Sequence, residues 1–553
     1  MRDNPGLDIE KRGIGTLIFT LSNLDYTGTL TISQGKVALG DNAPFESGSF
    51  SIASGATLTG SSTVKTITMN EGTLMPGSLD GSTGTLTVKE DYMQASTGRL
   101  AISLTNDNQN DVLSVSGTAN LNNGILEIDA TPGVYRIGQQ YTVLTATTIN
   151  DPFTQAIDPY ANVDFSVISS PNSIIVVVTS EGPILNVDLD DLTGNAKRVG
   201  DYLFSCGTLP PNEDLINVMD NLAQLPNDAF IATLPKLSPV QMRALPLTAV
   251  RNDTQIADLA LKRYDTCSCP RESHFWVTPL IAYYKQEPQP REIGFRAHSQ
   301  GVSVGQMWIL GRLNCGLHAD YFYSKLNWNQ NAGMARLNTV YLSPFIGYLT
   351  DRWHFSVSLV GARTFYDVNR VLRFGTIRRT AHHNHKSWNG VVGIGGGGKF
   401  ATPAIQQNFF IAPEAKVNYF AMRESSYQET GADSINLVVE PKHSAFLNPQ
   451  VDLKFIKEFP YQDGCFSITI WGGWQSFIPL SNARYDHTVF LNQQTCQPFF
   501  FVEGITTAVH QPTIGAMISL IHCDHLSLKL DYEASLADHA PMHQGAVRFF
   551  WKW

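Results

Sequence analysis

Leu526-Ser527-Leu528-Lys529-Leu530-Asp531-Tyr532-Glu533 alternates without a break between apolar and hydrophilic residues. Successive side chains of a strand point to opposite faces, so this octet reads as one strand with one apolar and one polar face. Residues 352–359 repeat it: Trp353, Phe355, Val357 and Leu359 oppose Arg352, His354, Ser356 and Ser358. In 313–324, Leu313, Cys315, Leu317, Ala319, Tyr321 and Tyr323 share one face. Asn314, Gly316, His318, Asp320 and Ser324 share the other, with Phe322 an exception. The last stretch sets Val547, Phe549, Trp551 and Trp553 against Arg548 and Lys552, with Phe550 interrupting.

About twelve such strands are expected, centred near 280, 305, 318, 345, 358, 393, 413, 450, 470, 516, 530 and 549. Their connections alternate. Short turns fall near 311, 351, 402, 461 and 523, and longer loops cover roughly 286–299, 325–338, 365–386, 423–443, 477–510 and 535–543. Strands of about 9–11 residues, apolar outside and polar inside, are what a transmembrane β-barrel requires. Closure is obligatory, because an unpaired edge in hydrocarbon costs several kcal/mol per polar group. An even strand number places both ends of the barrel on the short-turn side. Lys529, Asp531, Glu533 and Arg548 then face the lumen, and Trp308, Tyr348, Trp353, Trp474 and Trp553 suit interfacial girdles.

Composition bounds the alternatives. The chain has 553 residues, a net charge of −10, 16% charged residues and 43% hydrophobic residues. An acidic balance without a broad cationic face argues against nucleic acid as a partner. No apolar run approaches the roughly 18 residues of a helical membrane span. Met1–Asp8 carries none of the basic start, apolar middle and small-residue cleavage site of a secretory signal, and upstream residues are expected to precede this chain. The seven cysteines (206, 267, 269, 315, 465, 496, 523) are scattered and odd in number, and suggest no disulfide framework.

Residues 1–181 have a different texture, rich in Gly, Ser, Thr and Asn. A turn glycine followed by a short alternating strand recurs at Thr27–Ile32, Thr83–Val88, Gly98–Ile102 and Asn123–Ile128. Repetition of this kind favours a β-solenoid whose coils share a core, with a β-sandwich as the alternative. Leu86, Val88, Leu100, Ile102, Leu113, Val115 and Leu126 are the expected core. Residues 182–266 form a connector with short helices at 215–223 and 254–264. Residues 267–553 form the barrel.

Taken in order, these segments resemble a type V secretion autotransporter. The terminal segment Gln544–Trp553 is similar to that family's last strand, which ends in an aromatic residue read by the outer-membrane insertion machinery. Phe275-Trp276-Val277 and Gly301–Gly305 resemble its first two barrel strands. Pro76-Gly77, Gly84–Val88, Asp91-Tyr92, Gln94, Gly98–Ile102, Asp111–Gly117 and Gly138–Leu144, closing at Phe153, resemble the end of a passenger. The resemblance implies a right-handed parallel β-helix with an autochaperone-like end, then a 12-stranded antiparallel barrel with a short lumenal helix at about 250–266. It implies that Asp258, Lys262 and Arg263 on that helix face lumen charges such as Lys529, Asp531, Glu533 and Arg548. It further implies an outer-membrane address with the passenger at the cell surface, contact with outer-membrane lipid and the insertion machinery, and an adhesive passenger meeting host or neighbouring-cell ligands. The connector lacks an Asn-Asn pair of the kind some members cleave.

Other motifs yield to plainer readings. Gly393–Phe400 approaches a phosphate-binding loop, but Phe400 replaces the magnesium-holding Ser or Thr. His382-His383-Asn384-His385 falls in an expected loop without a nearby carboxylate. Arg370, Arg373, Arg378, Arg379 and Lys386 make the same loop basic. No catalytic group, cofactor or metal is expected. A porin-like barrel with a β-rich plug, and a translocator for an enzymatic passenger missing from this chain, are the alternative functions.

Overall fold

The computed structural model describes residues 6–20, 26–41, 43–206, 209–261, 273–288, 293–402, 407–480, 485–490, 498–502, 508–522, 526–537 and 541–552. The chain divides into two compact units. One comprises Met1–Asp191 and Leu203–Phe230, and the other Leu192–Tyr202 and Ile231–Trp553.

In the larger unit, twelve antiparallel strands close on themselves. Numbered along the barrel, they are strand 1 (His274–Gln286), 2 (Phe295–Leu310), 3 (Leu313–Trp328), 4 (Gly333–Leu349), 5 (Trp353–Phe374), 6 (Ile377–Gly398), 7 (Phe409–Glu424), 8 (Lys442–Tyr461), 9 (Gly464–Pro479), 10 (Val509–His522), 11 (Ser527–Ser535) and 12 (Met542–Lys552). Each pairs with its chain neighbour, and strand 1 pairs with strand 12, with Trp276 opposite Phe550. The ring leaves no free edge, which satisfies the backbone in hydrocarbon.

Alternation sets the two faces. Leu317, Leu359, Ile394, Leu453, Ile470 and Leu530 lie exposed on the outside, while His318, Ser358, Asn389, Asp452, Thr469 and Lys529 are buried in the bore. Trp308, Tyr348, Trp353 and Trp551 form an outward aromatic row at the short-turn end, and Trp474 also faces out. Trp553 lies outside the described residues. The two exceptions to alternation resolve inward. Phe322 packs in the bore among Val250, Ile256 and Leu280, and Phe550 joins Trp276, Met307 and Phe345.

Two expected loops are not loops. Residues 365–386 belong to strands 5 and 6, each 22 residues long and joined through Gly375-Thr376. Residues 325–338 belong mostly to strands 3 and 4. About ten residues span the hydrocarbon, so the 5–6 hairpin runs on by a similar length beyond it. Inward alternation continues through that extension in Val368, Leu372, Phe374, Ile377 and Ala381, and these apolar side chains keep the hairpin folded against its neighbours. The cysteines also differ from expectation: Cys206 and Cys465 are each disulfide-bonded.

The smaller unit is a β-solenoid. Parallel strands stack coil on coil in two principal sheets, with Leu30 beside Phe50, Leu58 beside Leu74, Leu86 beside Leu113 and Leu100 beside Leu126. Leu86, Val88, Leu100, Ile102, Leu113, Val115 and Leu126 are all buried in its single core. The stacking changes at the C-terminal end. Gln140–Thr145 takes Ser173–Ser180 antiparallel, and Asp164–Ser169 covers that strand in turn. Helix Glu213–Ala223 packs on the same end. Its Asp220 Oδ1 accepts from Val134 N at 2.9 Å and from Asn106 Nδ2 at 2.6 Å, and its Glu213 pairs with Arg136.

One carboxylate ties two successive coils. Asp111 is 1% exposed and accepts from Gly84 N and Ser103 N, both at 2.9 Å. Gly77, at φ 129°, runs so close that a Cβ there would stand 2.9 Å from Asp111 Oδ1. Burial pushes the Asp111 carboxyl above the usual carboxylate range, opposed by the two amides. The folded unit therefore holds the proton more tightly than the unfolded chain. This group contributes most at acid pH, and its contribution declines as pH rises through the folded value. Asp111→Ala orphans both amides and is expected to cost about 2 kcal/mol. Thermal unfolding of the variant across pH checks both points, the variant losing this part of the pH dependence.

Candidate functional site: the occupied bore

The bore is filled by a helix. Ala244–Leu261 follows a 3-10 turn at Pro239–Arg243, and 17 of its 18 residues are buried. A helix buried all round cannot be amphipathic in the usual sense. Here one side is aliphatic and the remainder polar, because the barrel wall is itself mixed. Ala249, Val250, Ile256, Ala257 and Leu259 pack on Leu280, Phe322, Val391 and Phe420. The helix begins six residues earlier than the expected 250, and Lys262 and Arg263 lie outside the described residues.

Polar contacts give its direction. At its start, Gln241 O accepts from Trp328 Nε1 at 2.9 Å, at the long-loop end of strand 3. Asn252 bridges Ser324 Oγ at 2.9 Å and Tyr284 Oη at 3.1 Å, and the Arg251 guanidinium lies 5.2 Å from the Tyr284 ring centre. Asp253 accepts from Asn389 Nδ2 at 3.1 Å, midway down strand 6. Asp258 pairs with Lys416 of strand 7. Leu261 sits beside Gly393 and Gly395, where a Cβ would stand 3.2 and 3.6 Å from it. The helix thus descends from the long-loop mouth toward the short-turn end, as the polypeptide must to start strand 1 at that end. Glycines 393 and 395 make room for it; they lie within a strand with no helix following, which is not phosphate-loop geometry.

The charges expected opposite Asp258 are elsewhere engaged. Arg548 pairs with Asp531 at 3.0 Å. Glu533 accepts from Trp471 Nε1 at 3.1 Å and Gln544 Nε2 at 2.9 Å, and Lys529 lies 5.2 Å from the Phe550 ring centre. These four sit on strands 11 and 12, whereas Asp258 faces strand 7. Strand parity told which residues face the bore, but not which wall the helix would meet. Leaving a buried charge unpaired is costly, so cross-strand neighbours satisfy one another first.

The long-loop mouth carries a second assembly that sequence reasoning missed. Tyr427-Gln428, Leu437–Val439, Tyr485–Phe490 and Phe500–Val502 form one small antiparallel sheet from two separate loops. Tyr202 of helix Gly194–Phe204 packs on it, with ring centres 5.5 Å from Phe490 and 4.9 Å from Phe500. Beneath, Arg370 and Glu429 form a fully buried ion pair. Arg370 also donates to Lys236 O and Ile435 O at 3.0 Å, and Glu429 accepts from Leu437 N at 2.9 Å. Arg370 is therefore no solvated loop cation. The histidines divide by parity: His382 faces out, while His383 stacks on Tyr427 at 3.9 Å and His385 on Tyr366 at 4.3 Å. Among the described residues no group of three metal-ligating side chains occurs. The available signal for this assembly was Arg370 at an inward position between Val368 and Leu372. Glu429→Ala leaves a buried guanidinium unpaired and is expected to cost about 3–5 kcal/mol locally. Limited proteolysis should then cut within 425–441 while the barrel keeps its heat-resistant gel mobility.

Residues 275–533 match the family described as Autotransporter beta-domain. This segment is an autotransporter β-domain. The translocator domain of the autotransporter NalP from Neisseria meningitidis shares 12% identity at TM-score 0.44, over 57% of this chain and 100% of that one. The beta domain of the Bordetella autotransporter BrkA shares 13% at 0.38, over 51% and 100%. The transport unit of AIDA-I from Escherichia coli shares 9% at 0.33, over 54% and 97%. At TM-scores below 0.5 these likenesses add nothing to the family match. No curated protein matches the chain. The autotransporter β-domain is an outer-membrane barrel for passenger export, so its short turns face the periplasm and its long loops the exterior.

Proposed function

We propose that this chain exports its own N-terminal β-solenoid and displays it at the cell surface as an adhesin. The observation carrying the reading is the direction of the lumenal helix. It enters at the exterior mouth and ends toward the periplasmic turns, so the polypeptide preceding it leaves by the exterior mouth. Val547, Phe549 and Trp551 on the last strand, with Trp553 following in sequence, are the signal for the barrel-insertion machinery, and outer-membrane lipid is the solvent of the outer face. The adhesive role is supported by the solenoid's stacked hydroxyl and amide side chains, among them Thr118 beside Thr148 and Asn120 bonded to Asn150 at 2.8 Å. Repeated polar rows of this kind offer a flat ligand surface for partners on host or neighbouring cells. No ATP is available beyond the inner membrane, and sequential burial of coil on coil supplies the bias against backsliding. The segment 72–181 folds first and templates the remainder. Protease shaving of intact cells tests the reading: the surviving fragment should begin near residues 231–244, and binding to host cells should disappear with the released part. Protection of 1–230 would overturn it.

A further inference from the structure

On the outer face, toward the long-loop end, one level of the barrel carries an unusual row. His543, Tyr283, His298, Lys325 and Arg336 stand directly opposite one another in turn across strands 12, 1, 2, 3 and 4. All five are at outward positions. The Tyr283 ring centre is 4.8 Å from that of His298 and 6.1 Å from that of His543, which is held by Tyr532 Oη at 2.6 Å from its Nδ1. A hollow of about 480 Å³ opens at the strand 12–strand 1 seam. It exists because Gly545 occupies an outward position where its neighbours carry Ile281 and Tyr532.

The charge pattern is the second observation. Lys325 faces Arg336 across the strand 3–strand 4 pair and His298 across the strand 2–strand 3 pair. Like charges directly opposite on a sheet repel and destabilise. Arg336 has a carboxylate, Asp367 Oδ2 at 3.6 Å, but among the described residues Lys325 makes no ion pair. Below the row the wall turns apolar within one or two outward positions, at Ile281, Val302 and Val340. A Lys325–Arg336 pair of cations above an aliphatic wall matches an amphiphile with an anionic head and hydrocarbon tails. A free anion would not use the wall.

We propose that this row is a binding site for the phosphorylated head of a glycolipid in the outer leaflet, whose acyl chains lie along the wall beneath it. Phosphate oxygens bridging Lys325 and Arg336 remove the repulsion between them. Tyr283 and His298 line the head-group pocket at the seam. The proposal rests on the long-loop end being exterior, as read above.

The test uses the full-length protein purified in detergent, with bisphosphorylated lipid A, the same lipid stripped of phosphate, and inorganic phosphate as probes, read by native mass spectrometry. Lys325→Gln with Arg336→Gln should lower lipid A affinity at least about tenfold, the scale of losing charge-assisted hydrogen bonds. Gly545→Leu, which fills the hollow, should weaken it too. Unmodified barrel mobility on gels establishes that each variant is folded. Equal binding of the phosphorylated and stripped lipids, or unchanged binding by the folded double variant, would sink the proposal. Complete displacement of lipid A by inorganic phosphate would mean a free-anion site and would also overturn it. Shaving reports orientation separately, so failure here with exterior loops removes the lipid site alone.

Discussion

Leu100→Asp is expected to abolish surface display of the solenoid while the barrel still inserts. Leu100 is fully buried, beside Leu74 in one coil and Leu126 in the next. Replacing it removes an apolar contact worth about 2–5 kcal/mol. It also asks a carboxylate to enter a core without a partner, which adds several kcal/mol more. The total rivals the whole stability of an ordinary domain, about 5–15 kcal/mol. If stacking of coils supplies the bias for export, protease-accessible passenger on intact cells should fall to about a tenth or less, with heat-modifiable barrel at normal levels in the outer membrane. Leu126→Asp, one coil further on, should behave alike. Normal display in both variants would show that folding of this segment does not drive export.

Removing the lumenal helix should turn a sealed barrel into a pore. Ala244–Leu261 fills the bore with side chains on every side. An α-helix with its side chains is about 10–12 Å across, so its deletion opens a channel of about that width lined by the hydrophilic face of the strands. In planar bilayers the intact protein should pass little current, and a barrel lacking 244–261 should conduct as an open aqueous pore. A porin-like protein would conduct with the helix in place. A milder variant separates plugging from assembly: Gly393→Leu crowds Leu261 and should unseat the lower helix, raising conductance without removing any lumenal contact above Asp258.

The barrel was legible because its determinant is local. Period-two alternation in 313–324, 352–359 and 526–533 needs no knowledge of what lies across the bore, since a strand's neighbours in sequence decide its two faces. The misreadings share one cause. In sequence, residues 365–386 read as a basic loop because charges and histidines look solvated. Their inward members are instead buried: Arg370 and His383 against Glu429 and Tyr427, which the loop after strand 7 brings there, and His385 against Tyr366 directly across the hairpin. Phe322 and Phe550 looked like breaks in a pattern, but each fills bore space that only a helix or a facing strand defines.

The amino-acid order alone therefore pointed to a closed antiparallel barrel, favoured a stacked solenoid over a sandwich, with Leu86, Leu100, Leu113 and Leu126 inside, and assigned the two faces of 313–324, 352–359 and 526–533. Each follows from interactions between near neighbours or from repetition. The tertiary structure alone decided that Asp258 meets Lys416, that two loops fold into one sheet around Tyr202, and that Lys325, Arg336 and His298 share a level. Those outcomes depend on strand register and on where a ring closes, and both are set by the sum of many pairings that no single segment encodes.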